Sequence, residues 1–397
     1  MKIPYGRQWI TEEDIRAVAD VLRSDRLTQG PKVQAFEQAL CDLTGARHCV
    51  AVSNGTMALH LACLALDIGP GDVGVTSPIS FMASANCVAY CGGTPSFADI
   101  DPHTLCLSSD KVEKQCQEGA VPKVVIPVDF AGVPADLPRF RALAERYGFS
   151  LIEDAAHAIG STYTSNGITY ACGSCVHTDL AILSFHPVKT ITTGEGGAVL
   201  TNQDKLAQRL RSLSNHGIER DPDRLLFPFT SNLEPCPSYY HEMQALGFNA
   251  RITDIQCALG LSQLSRLEEF KARRQEVVRL YNRAFRSLEQ DGKAFLPPWP
   301  DHTDPCFHLY TLRLGPGSKI PRDELFLRLH EKDVLCQVHY IPIYRQPFYQ
   351  ERYGYDPGSF PQAERYFQAC LSLPLFPGLD DESVRYVAET VTSLLDG

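Results

Sequence analysis

The sequence predicts an α/β protein, with a large domain on a mostly parallel central sheet and a smaller C-terminal α+β domain. Three observations predict it. Helical and strand signals alternate through the first two thirds of the chain. The strand candidates are short apolar runs that have lost polar alternation, as strands covered on both faces do. After residue 250 the pattern changes to long helical stretches and a Pro-rich segment. At 397 residues the chain outgrows one small core, so two domains are expected: 1–250, and 251–397 as a connecting helix with a small domain.

Taken in order, Thr11-Glu12-Glu13-Asp14 caps a helix that carries Ile15, Val18, Val21 and Leu22 at helical spacing. Residues 31–43 form a second helix, with Val33, Phe36, Leu40 and Leu43 on one face, and the Ala- and Leu-rich run 56–66 a third. Buried strands are expected at 73–76, 124–128, 150–152, 180–185 and 198–201, with a helix at 138–147. Beyond 250 the expectations are one long helical stretch over 252–288, the segment Leu296-Pro-Pro-Trp-Pro300, a strand at 308–314 and a helix at 322–332. A strand near Val338-His339-Tyr340 and a last helix from Asp381 complete the chain.

Composition excludes several classes. Apolar residues at 44% and charged residues at 21% fit an ordinary globular protein. A formal charge of −10 disfavours nucleic-acid binding, which needs a cationic field. No apolar run is long enough to span a bilayer, and the first residues lack a signal peptide's apolar core, so a cytoplasmic protein is expected. The 14 cysteines then read as reduced thiols. Cys172-Gly-Ser-Cys175-Val-His177 has no second pair to complete a zinc site, so no metal is expected.

Four signals carry chemistry. Ser184-Phe-His-Pro-Val-Lys189 leaves an apolar strand and enters Thr192-Thr-Gly194-Glu-Gly196-Gly197; a desolvated Lys189 there would be a nucleophile toward carbonyls. Leu151-Ile-Glu-Asp154-Ala-Ala-His157 puts two acids at a strand's mouth, where α/β sheets bind ligands. Ser53-Asn-Gly55-Thr56 opens a helix whose free N–H groups would seat a phosphate. Pro78-Ile-Ser-Phe81 places an aromatic after a strand. Each alone has a plain alternative: a solvated loop lysine, a capping aspartate, an ordinary helix start, a core phenylalanine.

Together, and in this order, they resemble the cofactor-binding elements of fold-type I aminotransferases, which use pyridoxal 5′-phosphate (PLP). Over nearly its whole length the sequence resembles the DegT/DnrJ/EryC1/StrS sugar aminotransferases. The matching stretches are Leu27-Thr-Gln-Gly30, Ser53-Asn-Gly-Thr56, Glu153-Asp-Ala-Ala-His157, Ser184-Phe-His-Pro-Val-Lys189 and Gly247-Phe-Asn-Ala-Arg251. Pro78-Ile-Ser-Phe-Met-Ala-Ser-Ala-Asn86, Thr192-Thr-Gly-Glu-Gly-Gly197, Gln337-Val-His-Tyr-Ile-Pro-Ile-Tyr344 and Leu371-Ser-Leu-Pro374 look like the branch serving pseudaminic acid biosynthesis.

The resemblance implies the remaining expectations. Lys189 would hold PLP and move the proton, and Asp154 would pair with the pyridine nitrogen. Phe81 would stack on the ring, with His157 at the ring hydroxyl. Gly55, Thr56 and Ser184 would hold the phosphate, helped by Asn249 from a partner subunit. Tyr5, Arg26, Leu27, Thr28, Arg251, His339 and Tyr340 would line the sugar-nucleotide cleft. Glutamate would leave its amine as pyridoxamine phosphate and depart as 2-oxoglutarate. The acceptor would be UDP-4-keto-6-deoxy-N-acetyl-β-L-altrosamine, aminated at C4 by a homodimer with shared sites. The segment 220–242, with Pro222, Pro228, Pro235, Pro237, Tyr239 and Tyr240, looks longer than its counterpart and would cap the site or alter sugar choice.

Three rivals weigh less. Sugar dehydratases of this family replace the lysine by His, and Lys189 is present. A non-catalytic PLP-fold regulator or scaffold would show a lost Lys or an added DNA-binding domain; neither is visible, and the acidic balance argues against DNA. No G-x-G-x-x-G opens the chain as a dinucleotide-binding oxidoreductase would want. An aminotransferase for another nucleotide-linked keto sugar stays open.

Overall fold

A computed structural model of the chain describes residues 2–227 and 239–396. Pro228, Pro235 and Pro237 of the long segment lie outside them. Seven strands form the central sheet: β1 (His48–Val52), β2 (Val73–Thr76), β3 (Thr94–Phe97), β4 (Val124–Ile126), β5 (Ser150–Asp154), β6 (Leu180–Ser184) and β7 (Gly197–Thr201). Their order is β1-β7-β6-β5-β4-β2-β3, and only β7 runs against its neighbours. The sheet is therefore mostly parallel, as expected.

Side chains alternate between two packed faces, which is why the strands read as unbroken apolar runs. Ile152, Ile182 and Val199 pack with Leu59 and Ala62 on one side. Leu151, Leu183 and Leu200 pack with Phe36, Leu40 and Phe140 on the other. Pro95 obscures β3 in the sequence. An edge strand tolerates that proline because one side of its backbone needs no ladder partner.

The helix starts follow their caps. In α1 (Glu12–Leu22), Thr11 N–H donates to Asp14 at 2.9 Å, and Arg266 and Gln263 donate to the same carboxylate. In α2 (Pro31–Thr44), Asp254 accepts from the N–H groups of Gly30 and Lys32. In α3 (Gly55–Ala65), the Asn54 side chain accepts from Met57 N–H at 2.8 Å. Helix α4 (Ala83–Tyr90) packs beside α3.

The C-terminal part builds a second core on β8 (Ala294–Phe295), β9 (Tyr310–Leu314) and β10 (Cys370–Leu373), covered by helices Leu267–Ala284, Arg322–Glu331 and Asp381–Asp396. Ile3, from the other end of the chain, joins this core and bridges Val334. Two expectations change here. The stretch 252–288 is three helices, Asp254–Leu264, Leu267–Ala284 and a short Arg286–Gln290. The first break falls where Arg266 leaves helical geometry to reach Asp14. The strand near 338–340 does not form: His339 Nδ1 pairs with Ser372 Oγ at 2.8 Å, and the His339 carbonyl accepts from Tyr366 OH rather than from a ladder.

No helix among the described residues is long and apolar enough to cross a membrane.

Candidate active site

The parallel strands end on the same side of the sheet, and a cavity of about 730 Å³ opens there. Strand β5 ends at Asp154 and β6 at Ser184, and both residues line the cavity. After β6 the chain makes the turn that carries Lys189. Phe185 N–H donates to the Gly196 carbonyl, Thr193 N–H returns to the Phe185 carbonyl, and Gly194 bends the turn at φ 81°. Lys189 is thus held on a fixed loop with its amine toward the cavity.

Burial pulls that amine's pKa from 10.5 to about 8, with the Asp154 carboxylate pulling the other way. Asp154 is itself buried, which pushes its carboxyl up. The Ser84 hydroxyl at 2.6 Å, the Ala156 N–H at 3.2 Å and the Lys189 charge favour its ionised form. Ser80 extends this chain, 2.7 Å from Ser84.

Opposite them stands the start of α3. Its first N–H groups, of Gly55 and Thr56, have no partner among the described residues, and the Thr56 and Ser184 side chains share the cavity wall. A Cβ at position 55 would meet Ser184 Cβ at 2.9 Å, so glycine is what allows the two walls to approach.

The remaining wall is aromatic. His157 Nδ1 accepts from Ala131 N–H at 3.3 Å, and burial keeps the ring neutral. The proton then sits on Nε2, facing Tyr340 OH at 3.2 Å. His308 lies 4.4 Å from His157 between ring centroids, while Tyr5, Phe81, His339 and Tyr340 complete the rim. Burial and the Lys189 charge lower His339 to about 4. Phe81 remains 51% exposed.

Five expected residues lie elsewhere in the single chain. Thr28 bridges Thr253, the Leu27 carbonyl accepts from Asp254 N–H, and Arg26 borders a separate shallow hollow. Arg251 bridges Val52 and donates to Asn215, which in turn bridges Asn249. None of the five lines the cavity. Ser80, Ser84 and His308 were not singled out by sequence. The i, i+4 serines at the start of α4 were the available signal for two of them, and His308 looked only like the start of a strand.

Residues 8–392 match the DegT/DnrJ/EryC1/StrS aminotransferase family. This chain belongs to that family. It is 36% identical over 397 residues to the spore coat polysaccharide biosynthesis protein SpsC of Bacillus subtilis, covering 100% of this chain and 97% of that one. Among solved structures it is similar to PseC of Helicobacter pylori, an aminotransferase involved in the biosynthesis of pseudoaminic acid. The TM-score is 0.88, with 30% identity and all of both chains covered. It is also similar to the PLP-form of the putative sugar aminotransferase Spr1654 of Streptococcus pneumoniae, with TM-score 0.87, 28% identity, and 100% and 99% of the chains covered.

As a member of this aminotransferase family the protein takes PLP as its cofactor. The cavity fits that group in kind. Free N–H groups and hydroxyls suit a phosphate, a desolvated amine suits a carbonyl, and a buried carboxylate suits a protonated ring nitrogen.

Proposed function

We propose that this enzyme moves an amino group from glutamate to C4 of UDP-4-keto-6-deoxy-N-acetyl-β-L-altrosamine, a step toward pseudaminic acid. The observation that carries an amination chemistry is that Lys189 and Asp154 line one cavity with the unpartnered N–H groups of α3. The likeness to the pseudoaminic acid enzyme supports the choice of sugar.

Bound PLP supplies the electron sink that acidifies the C–H beside the transferred nitrogen. Asp154 keeps the ring nitrogen protonated, since an ionised carboxylate opposite it favours its charged form. Lys189 takes the proton from the glutamate α-carbon and, in the second half-reaction, delivers one to C4 of the sugar. An amine at about 8 has a substantial neutral fraction near neutral pH, as a proton carrier there requires. Gly55, Thr56 and Ser184 would bind the phosphate, Phe81 would cover the ring, and His157, held by Tyr340 OH, would lie at the ring hydroxyl. Tyr5, His339 and Tyr340 frame the sugar nucleotide.

The outlying Arg26, Leu27, Thr28, Asn249 and Arg251 contribute to a second subunit's site in a homodimer. Their position outside the cavity of their own chain, and the exposed Phe81, Met82, Phe227 and Leu246, support that assembly. The cysteines among the described residues are all free thiols, which supports a cytoplasmic enzyme.

The test is the visible spectrum of the holoenzyme. The expected result is a PLP band that bleaches with glutamate and returns with the UDP-4-keto sugar. Bleaching without return on this sugar, but with return on another nucleotide-linked keto sugar, would overturn the acceptor and leave the transaminase.

A further inference from the structure

Glu153 precedes Asp154 on β5, so its side chain lies on the opposite face of the sheet, away from the cavity. It is 1% exposed and meets Asp129, which is fully buried. Glu153 accepts from Gly173 N–H at 2.8 Å, and Asp129 Oδ1 from Ala135 N–H at 2.8 Å. Asp129 Oδ2 is buried with no hydrogen-bond partner among the described residues, and ligand atoms of Asp129, Glu153 and Cys172 lie within 4.8 Å of one another. Carboxylate oxygens only accept, so two ionised carboxylates this close leave Asp129 Oδ2 without a donor beyond the weak Cys172 S–H, whereas a proton on either acid supplies one.

The largest influences on the pair include no cation among the described residues. Cys172 brings its ligand atom within 4.8 Å of both acids. The other ionisable groups acting on this cluster are Cys106, Cys175, Tyr163 and Asp154, every one of them an acid. Two bare carboxylates packed against those groups would repel each other in a medium that screens poorly.

The pair sits under a turn that reaches the cavity. Asp129 begins the segment in which Ala131 takes φ 59° and Gly132 φ 95°. Ala131 N–H donates to His157 Nδ1 and so selects its tautomer, while the Ala131 carbonyl accepts from His308 N–H at 2.8 Å. Ser161 ties the Gly132 carbonyl to Cys306 N–H. One small turn thereby sets two imidazoles of the cavity wall.

We propose that Asp129 and Glu153 share a single proton and that this bridged carboxyl pair is the positioning element for His157 and His308. When the proton leaves to solvent, the two anions separate and the Ala131 turn shifts with them. The link to turnover rests on the proposed function; the shared proton does not. A pair of this kind predicts a reversible alkaline loss of activity that does not originate in the groups touching substrate.

The test pairs a spectrum with a pH profile. Glu153→Gln supplies the hydrogen permanently, because its amide donates to Asp129 while its carbonyl still accepts from Gly173. The infrared spectrum of cofactor-free wild type minus that of Glu153→Gln is expected to show one protonated-carboxyl carbonyl band at neutral pH, lost in alkali. In the holoenzyme, kcat of the wild type is expected to fall about tenfold per pH unit above the pair's ionisation, a fall absent from Glu153→Gln. If Glu153→Gln does not fold, Asp129→Asn replaces it in the same difference. No band overturns the shared proton, as does a stoichiometric divalent metal in purified wild type, which would make Asp129, Glu153 and Cys172 its ligands. A band with identical pH profiles overturns the positioning role while leaving the proposed transaminase intact.

Discussion

Glu153 and Asp154 are consecutive acids on one strand, both buried, yet they face different surroundings. Asp154 looks toward α3 and α4, where Ser84 and Ala156 donate to it and Lys189 supplies a positive charge. Glu153 looks toward a face that offers one backbone N–H, a second carboxyl group and a thiol. Burial pushes both carboxyl groups up. Only Asp154 has a cation to counter it, and only Glu153 has an acid that makes it worse. The charge of a buried acid is therefore set by the face its side chain enters, and the strand's two-residue period decides the face.

The largest effect should come from removing the cation that separates the two environments. Lys189→Ala is expected to abolish turnover, with loss of about 10³-fold or more in kcat, because no other amine among the described residues lines the cavity. Turnover that survives in single-turnover assays at near wild-type rates would remove Lys189 from the chemistry. Asp154→Asn comes next, at about 10²–10³-fold in kcat, the range for losing one aimed electrostatic partner. The same carboxylate-to-amide change has opposite meanings one residue apart. At 154 it removes the charge that a ring nitrogen needs, whereas at 153 it provides the hydrogen that Asp129 lacks. Equal losses in Asp154→Asn and Glu153→Gln would break the comparison.

What was legible in the sequence follows the same division. Five of the seven sheet strands, the first three helices and the turn with Lys189 were legible because caps, glycines and doubly buried strands leave local marks, whereas the two edge strands β1 and β3 were not singled out. Asp154 was legible because it ends a strand, and Gly55 and Thr56 because they begin a helix. Ser84 and His308 were not, since each acts through a contact far away in the chain: Ser84 reaches Asp154 seventy positions on, and His308 stacks against His157. Cys172 was weighed with Cys175 and His177 as a loop motif. Its chemical neighbours are Asp129 and Glu153, which no spacing rule connects. The stretch 252–288 misled because helical periodicity runs through the Arg266 break, which only the distant Asp14 explains.

Ser84→Ala sharpens the Asp154 side. A hydrogen bond from a neutral hydroxyl to a buried carboxylate is worth about 1.5–3 kcal/mol, so kcat is expected to fall roughly 10- to 100-fold. The alkaline shift expected of Glu153→Gln should be absent from this variant. Ser84→Thr, which restores the hydroxyl, should recover part of the rate. A Ser84→Ala enzyme with unchanged kcat would mean that Asp154 is held by the Ala156 N–H and the cofactor alone.

The smallest effect is on the stability of the cofactor-free protein, and it separates the two faces by pH. Burial first, and the neighbouring carboxyl group after it, raise the Asp129–Glu153 pair above the ordinary carboxylate range, so the folded state holds a proton that the unfolded chain has released. The stability this contributes is fully present below about pH 4 and is lost as pH rises through the pair's raised ionisation. Lys189 has its pKa lowered from 10.5 to about 8, so between those values the unfolded chain binds more protons. Its contribution is present above 10.5 and is lost as pH falls through about 8. Melting temperature followed across this range should therefore show two opposed slopes, read as differences from variants so that other groups cancel. Glu153→Gln is expected to remove the decline, and Lys189→Ala the recovery between about pH 8 and 10.5. If one variant removed both slopes, the two faces of β5 would be titrating as a single network, and the independence of Glu153 from the cavity would fail.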